Sequence, residues 1–295
     1  WLNITANYLG FGLSPAVCIC LVYVLDRKTA LRREIRTAVR IEIGYLIFLF
    51  VTIPCGMVFS VSVDNIYSRG PHFYIYIVMY FGAILYLSAS TVITAREFQN
   101  RSRLLIYPLI LFVMAETIIQ VALPELHVTW LCVTLLSVLY FIYCSEMWNQ
   151  LDALTGLLNQ NSYLKQTGGV RCKGGVLVVF DVDDFKQIND RYGHIQGDLC
   201  LAGIAECIKK SYANFGYCYR IGGDEFCVLL KNGGNEGRCK QEFLQRLQEK
   251  RGEIAFLPTV SYGSAPFSGE DIVKVKDRAD QDMYQYKKER KNRKR

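Results

Sequence analysis

The sequence predicts two halves of different fold class, an α-helical transmembrane bundle over residues 1–145 and an α+β domain over residues 146–295. Charge supplies the first observation. Residues 1–145 contain 10 Lys/Arg and 7 Asp/Glu, whereas residues 146–295 contain 24 and 20. Patterning supplies the second, because long apolar stretches fill the first half and short strand and helix patterns alternate in the other. One water-soluble domain does not divide its charges in this way.

The overall composition excludes several other classes of protein. A hydrophobic fraction of 51% rules out a disordered chain. The net charge of +7 resides largely in short loops and at the C-terminus, so no nucleic-acid partner is predicted. The eleven cysteines form no C-x-x-C pair and only three histidines accompany them, which favours buried thiols in a reducing compartment over a zinc site. Because the chain opens inside an apolar stretch, we expect residues to precede Trp1.

Five apolar stretches predict about five membrane spans, since several reach the roughly 20 residues that cross the hydrocarbon layer. They cover residues 9–25, 41–63, 73–94, 104–123 and 128–142. The first and third connections are rich in Lys and Arg, whereas the second has only Arg69 and the fourth has none. Basic loops remain cytoplasmic, so Trp1 is predicted outside and the segment after Tyr143 in the cytoplasm. The sequence therefore predicts a multi-pass protein of the cell membrane.

Two polar residues lie one helical turn apart inside the fourth stretch, Glu116 and Gln120. Such residues are functional candidates because a carboxyl group in hydrocarbon is costly. An interhelical hydrogen bond that only stabilises the bundle is the alternative. With the lipid bilayer as its surroundings, the bundle is predicted to anchor the chain or to sense a ligand that the sequence does not identify.

Residues 145–154 contain no Pro or Gly and predict a short helical linker, either a rigid coupler or a plain connection. The domain that follows reads β-α-α-β-β-α-β-α, which is typical of a helix-flanked sheet with antiparallel strands. The strands are predicted at 174–180, 217–221, 226–230 and 259–264. The helices are predicted at 185–191, from a turn at 193–197 to about 212, before the last strand, and from about 271 onward.

Acidic residues follow two of these strands. Asp181 lies at the end of the first strand, and Asp224 lies at the tip of the hairpin between the second and third. If the hairpin lies beside the first strand, the two carboxylates converge from neighbouring strand ends and can hold Mg²⁺, a hard cation that prefers oxygen ligands and phosphate. Gly222 and Gly223 have no side chains, so a phosphate group can approach the hairpin backbone closely.

Three further side chains fit a nucleotide substrate. Lys186 can neutralise charge on a transferring phosphoryl group, while Asn189 and Asp198 can read the hydrogen-bonding edge of a purine. Together with the acidic cluster they predict metal-assisted nucleotidyl transfer. Each feature also has a structural alternative: a solvated hairpin, a surface lysine, and an N-cap formed by Asp183 or Asp184.

Five blocks in this half resemble the GGDEF family of diguanylate cyclases, over about residues 148–293. The likeness extends to a palm-like, nucleotidyl-cyclase-like fold, and its signature is complete as RIGGDEF at 220–226. The other blocks are DALTGLLN at 152–159, FDVDDFKQINDRYGHIQGD at 180–198, TVSYGSA at 259–265 and ADQDMYQYKK at 279–288.

The resemblance implies that two GTP condense to cyclic di-GMP with release of pyrophosphate, each protomer of a homodimer presenting one GTP. Asp181, the carbonyl of Val182 and Asp224 would hold Mg²⁺ or Mn²⁺, with Glu225 as a ligand to a second ion. Asp224 would also accept the proton of the attacking 3′-hydroxyl. Lys186 would stabilise transition-state charge. Guanine would be read by Asn189 and Asp198 near His194, and the terminal phosphates would be held by Lys287 and Lys291.

Some positions depart from the family pattern. Ala213 and Gly216 replace the Arg and Asp of the product-inhibition site, so no feedback inhibition is predicted through that site. Gln160 replaces the usual Arg of the entrance segment, and Arg290 replaces a Gly in the last block. Two alternatives to an active cyclase remain: a catalytically silent GTP-binding or scaffolding module, and a membrane receptor with secondary cyclase output.

Overall fold

A computed structural model describes residues 1–25, 32–97, 129–168, 174–231 and 233–293, with four residue pairs between 107 and 119. Two compact units divide the chain, Trp1–Met147 and Trp148–Arg295. Glu116 and Gln120 lie outside the described residues, as does most of the fourth predicted span.

The first unit consists of helices and one small hairpin. Its elements are α1 Leu2–Leu25, α2 Arg32–Thr52, β1 Phe59–Val61, β2 Tyr67–Arg69, α3 Tyr74–Glu97 and α4 Thr129–Asn149. Three helical segments are long and apolar enough to cross a membrane among the described residues, namely Leu2–Leu25, Tyr74–Ala95 and Leu131–Asn149. Aromatic rings hold the hairpin against α1 and α3, since the ring of Phe11 lies 5.5 Å from that of Phe59 and 4.8 Å from that of Tyr76.

The second predicted span differs from the structure. Helix α2 begins at Arg32, within the predicted basic loop, and ends at Thr52, so residues 53–63 form turns and β1. Pro54 explains the end of the helix, because a proline disfavours helical backbone at the preceding residue and has no N–H to donate. Gly56 then takes a positive φ of 60°, which completes the turn.

The second unit is an α+β domain in which the order of strands and helices from residue 175 onward matches the prediction. The helix Gln160–Thr167, which precedes them, was not predicted. Its four-stranded sheet has the order β4-β5-β3-β6, and every neighbouring pair is antiparallel. The elements are α5 Gln160–Thr167, β3 Gly175–Val182, α6 Phe185–Tyr192, α7 His194–Tyr212, β4 Gly216–Arg220, β5 Glu225–Leu230, α8 Glu236–Glu253, β6 Val260–Phe267 and α9 Ile272–Arg293.

Strand β3 lies at the centre of two apolar layers. Val178 and Phe180 belong to the cluster that contains buried residues of α7 and α8, whereas Leu177 and Val179 belong to the cluster that contains Val275 of α9. The alternation follows from the strand period of two, and burial on both faces explains the continuous apolar run. The strand end that carries the acidic residues is therefore held by packing on both sides.

Two predicted boundaries are wrong. The linker is helical only as far as Asn149, because the carboxylate of Asp152 accepts hydrogen bonds from the backbone N–H and the hydroxyl of Thr155, at 2.9 and 2.6 Å. Such local bonds favour a turn over a helix. Helix α7 begins at His194 without the predicted turn, since Gly193 alone reverses the chain at a φ of 86°.

Candidate functional site

The end of β3 lies beside the GGDE hairpin, because β3 and β5 are neighbouring strands of the sheet. Asp181 pairs with Glu225 in the antiparallel register, and the N–H of Val182 donates to the carbonyl of Asp224 at 3.2 Å. Directly opposed residues of an antiparallel pair have Cβ atoms about 5 Å apart. All four predicted metal-binding residues thus lie at one end of the two central strands, β5 and β3.

Arg220 braces this hairpin. Its Nη2 donates to the carbonyl of Gly223 at 2.7 Å, and its Nη1 donates to a carboxylate oxygen of Asp152 at 3.0 Å. Burial opposes ionisation of Asp152, but hydrogen bonds from Thr155 and Arg220 outweigh it and lower the pKa of that carboxyl group. The sequence reasoning missed this brace, although both residues lie inside blocks it singled out.

The hairpin is open above its two glycines. A Cβ atom at Gly223 would meet nothing within 4 Å, and one at Gly222 would lie 3.2 Å from the Cβ of Glu225. Both residues are exposed. An anionic group can therefore approach the backbone of this turn without displacing other parts of the domain.

A lysine from α9 reaches the acidic strand end. The Nζ of Lys287 lies 2.5 Å from Asp181 and 3.4 Å from Asp183, measured to one carboxylate oxygen of each. Partial burial disfavours the ammonium, but the two carboxylates more than offset this effect and raise the pKa of Lys287. A cation thus balances the acidic cluster where the sequence predicts a phosphate-binding residue.

Asp183 supports this site from within the domain. It is 8% exposed, and its carboxylate accepts hydrogen bonds from Thr259 at 2.6 Å and Ser261 at 2.7 Å. Arg290 donates to the same carboxylate at 3.2 Å. The N-cap alternative is wrong, because Asp183 is bonded to β6 and its neighbourhood, and Asp184, which precedes α6, makes no side-chain cap bond.

Helix α9 brings Lys287 to the sheet because it packs unusually close to β6. A Cβ atom at Gly263 would clash with the backbone of Ala279 and Met283, so only glycine permits this contact. Lys287 follows Met283 by four residues and therefore lies on the same helix face, one turn closer to the end of β3. The side chain of Lys291 lies outside the described residues.

The predicted purine-reading residues lie near each other in the chain's fold. The side-chain oxygen of Asn189 is buried and has no hydrogen-bond partner among the described residues. A Cβ atom at Gly197 would clash with that oxygen, so the N-terminal turn of α7 approaches Asn189 closely just before the exposed Asp198. Lys186 and His194 are exposed on α6 and α7, and the described residues include no hydrogen bond or ion pair to either side chain.

The two positions of the product-inhibition site, 213 and 216, lie at the end of a helix and at the start of a strand. Ala213 is the C-cap residue that follows α7, and Gly216 opens β4, where a Cβ atom would clash with the carbonyl of Leu229. The close approach of the two strands therefore selects glycine at 216 and disfavours the aspartate of the family pattern.

The donor set fits Mg²⁺ bound together with a substrate. Among the described residues, no three His, Cys, Asp or Glu side chains are grouped so as to hold an ion by themselves. Two aspartates and a main-chain carbonyl are nevertheless all oxygen donors at one strand end. Mg²⁺ commonly takes one or two carboxylates and completes its shell with water and substrate phosphates.

Comparison with known proteins places this site in a family. Residues 149–293 match the family described as diguanylate cyclase, GGDEF domain. The chain is 40% identical over 96 residues to the probable diguanylate cyclase DgcI of Escherichia coli, covering 32% of this chain and 21% of that protein. It is 29% identical over 165 residues to diguanylate cyclase DgcZ of the same organism, covering 52% and 55%. The chain thus spans about a fifth to about a half of such relatives.

Solved structures of GGDEF domains are also similar to part of this chain. A microbial GGDEF domain, studied for its interaction with cyclic di-GMP, is 32% identical, with 47% of this chain and 92% of that chain covered and a TM-score of 0.38. The GGDEF domain of DgcB from Caulobacter crescentus, in complex with c-di-GMP, is 26% identical, with coverage of 47% and 90% and a TM-score of 0.40. With its signature at the hairpin beside β3 and the family match over the same residues, the segment 149–293 of this chain is a GGDEF domain of the diguanylate cyclase family.

Proposed function

We propose that the chain is a membrane-anchored diguanylate cyclase that condenses two GTP into cyclic di-GMP and two pyrophosphates. The observation that carries the proposal is the pairing of the β3 end with the signature hairpin, in which Asp181 faces Glu225 and Val182 bonds to the backbone of Asp224. The likeness to curated diguanylate cyclases, three of them at 33% identity or more, supports the choice of reaction.

In this proposal Asp181, the carbonyl of Val182 and Asp224 hold one divalent ion, and Glu225 contributes to a second. Bound Mg²⁺ or Mn²⁺ supplies charge neutralisation on the triphosphate and polarises its phosphorus–oxygen bonds. The protein's part is to keep these oxygen donors at fixed positions, which the sheet register and the Arg220 brace accomplish.

The substrate base is proposed to be guanine because the reading residues offer acceptors. The buried oxygen of Asn189 lacks a partner among the described residues, and the exposed carboxylate of Asp198 accepts hydrogen bonds only. Guanine presents N–H donors at two neighbouring ring positions, whereas adenine presents an acceptor at one of them. Two acceptors therefore favour guanine, and adenine would leave a buried polar group unpaired.

The phosphates lie between cationic groups in the proposed complex. Lys287, already beside Asp181, shifts its contact toward the terminal phosphates, assisted by Lys291 and with His194 close to the nucleotide. Lys186 stabilises charge at the reacting phosphorus, and the open backbone of Gly222 and Gly223 admits the phosphate chain.

We propose that the GGDEF domains of two chains face each other in a homodimer, and that each domain binds one GTP. The 3′-hydroxyl of each GTP attacks the α-phosphorus of the other, and Asp224 accepts the hydroxyl proton. Two ester bonds form, two bonds between the α- and β-phosphates break, and two pyrophosphates leave. A homodimer is required because one site holds only one of the two nucleotides.

The first unit is proposed as the membrane anchor and input domain. Three apolar helices of sufficient length support the anchor, and the basic loops of the sequence support a cytoplasmic catalytic domain. In this arrangement the second unit meets GTP in the cytoplasm, and the first unit regulates how two catalytic domains approach each other.

The test is a product assay on the purified full chain with GTP and Mg²⁺. We expect one cyclic di-GMP for two pyrophosphates, and a rate reduced at least about 100-fold in Asp224→Asn. Asp277→Asn is the matched control, because Asp277 is exposed on α9 and its side chain makes no hydrogen bond or ion pair with the described residues. Equal product from Asp224→Asn and the wild type would refute the assigned role. GTP binding without product would favour the silent module.

A further inference from the structure

The first unit contains a cavity of about 710 Å³ between α1, α2 and α3. This volume lies in the range of pockets that bind small organic molecules. Most of the wall is apolar, and small residues leave the space open: a Cβ atom added at Gly82 would meet nothing within 4 Å. The apolar and small lining residues are Ile19, Ala38, Ile41, Val78, Met79, Gly82 and Ala83.

One buried acid belongs to the wall of this cavity. Glu42 is 5% exposed, and neither of its carboxylate oxygens has a hydrogen-bond partner among the described residues. Burying an unpaired carboxylate costs several kcal/mol, so such a group is compensated by a cation or by hydrogen-bond donors, or it takes up a proton. The sequence pattern singles out polar residues only in the fourth predicted span, so it does not identify Glu42 at the start of the second apolar stretch.

The cavity wall does not supply that compensation from its own basic residue. Arg33 also lines the cavity, but it is exposed and lies nine residues before Glu42 in α2, which is about 13 Å along a helix axis. Glu34 accompanies Arg33 at the same exposed end. The end at Glu42 thus combines one buried negative group with apolar surface, and the end at Arg33 has charges of both signs.

We propose that this cavity binds an organic cation with an apolar body, an alkylamine or arylalkylamine, and that Glu42 is its counter-charge. The ammonium group supplies the hydrogen-bond donors that both carboxylate oxygens lack. The hydrocarbon part occupies the space beside Gly82 and Ala83. Pairing requires the Glu42 side chain to turn toward the cavity, since its oxygens are closed to solvent in the unliganded protein.

Three isosteric probes test the charge requirement on the full chain purified in a neutral detergent: 4-phenylbutylamine, 4-phenylbutanol and 4-phenylbutanoate. We expect the amine to bind at least about tenfold more tightly than the alcohol, and the carboxylate to bind least. Equal affinity for amine and alcohol, or a preference for the carboxylate, would overturn the proposal.

Variants test the location. In Glu42→Gln the preference for the amine should fall to about one, whereas Glu34→Gln, the matched control at the exposed end, should retain it. Gly82→Leu fills the cavity without changing charge and should weaken amine and alcohol alike, so it decides the location even if Glu42→Gln does not fold. An unchanged amine preference in Glu42→Gln, or wild-type affinity in Gly82→Leu, would contradict the proposed site.

Discussion

Replacing Asp152 with asparagine tests whether the entrance segment braces the signature hairpin. The Asp152 carboxylate accepts hydrogen bonds from the backbone N–H and the hydroxyl of Thr155 and from Arg220, at 2.9, 2.6 and 3.0 Å. A charge-assisted bond is worth about twice a neutral one, and the pair is mostly buried, with side-chain exposures of 15% and 24%. We expect Asp152→Asn to lose about 1.5 kcal/mol of local stability.

Hydrogen–deuterium exchange of the full chain measures this loss. A local opening made easier by about 1.5 kcal/mol accelerates exchange roughly tenfold in residues 151–165 and 216–231. These segments are joined by the bonds from Leu158 N–H to the Cys218 carbonyl, at 3.0 Å, and from Arg220 N–H to the Leu158 carbonyl, at 2.8 Å. Asp277→Asn is the control. Unchanged exchange in Asp152→Asn would refute the reasoning.

The lowered pKa of Asp152 gives the sign of a pH dependence. Because the folded-state pKa lies below the usual aspartate value of about 3.9, its contribution to stability is fully present above that value. It is lost as the pH falls through the folded-state pKa. The difference in melting temperature between the wild type and Asp152→Asn should therefore be greatest near neutral pH and shrink below about pH 4. A difference that grows on acidification would contradict this linkage.

Three other predictions concern the same domain. Lys287→Met should raise the KM for GTP about tenfold or more, because it removes a phosphate-binding cation, whereas Lys288→Met, at the exposed neighbouring residue, should leave the KM unchanged. A KM for GTP that is the same in Lys287→Met and in the wild type would contradict this role. Gly197→Ala should also raise the KM for GTP, since its methyl group displaces the guanine-reading amide, while Gly252→Ala, which meets open space, should not. Burial raises the pKa of Cys218 to about 12, so its alkylation by iodoacetamide at pH 8 should be at least about 100-fold slower than in the urea-unfolded chain. Mass spectrometry measures both rates, and comparable rates would contradict the burial of this thiol.

Much of the catalytic domain could be predicted because its signals are local. The continuous apolar run of β3, the glycine pair before Asp224 and the apolar stripe of α9 all lie in short windows of sequence. The pairing of β4 with β5 follows, because hairpin strands pair directly and the sequence places the glycine turn between the two. That Asp181 lies beside Asp224 depends on the pairing of β3 with β5, which the sequence suggests only as a hypothesis.

Contacts between distant residues could not be predicted in this way. Asp183 is bonded to Thr259 and Ser261, 76 and 78 residues later, and a window around Asp183 suggests only a helix cap. The brace between Asp152 and Arg220 spans 68 residues. Both depend on how β6 and the entrance segment pack onto the sheet, which no local pattern encodes.

The errors in the first half have a different cause. Hydropathy alone extended the second span through Pro54, although a proline and the positive φ of Gly56 end the helix and start a hairpin. Hydropathy also does not reveal Glu42, because one carboxylate hardly changes the mean hydropathy of a long apolar stretch. The linker was extended past Asn149 because the absence of Pro and Gly does not exclude side-chain bonds that favour a turn.

Binding of Mn²⁺ in the presence of a non-hydrolysable GTP analogue tests the central claim most directly, because Mn²⁺ is visible by electron paramagnetic resonance. If Asp181 and Asp224 share one ion, Asp181→Asn and Asp224→Asn should each lose the bound Mn²⁺ signal, while Asp277→Asn keeps the wild-type signal. Retention of nucleotide-dependent Mn²⁺ binding in either site variant, at wild-type affinity, would contradict the claim that the two strand ends form one metal site.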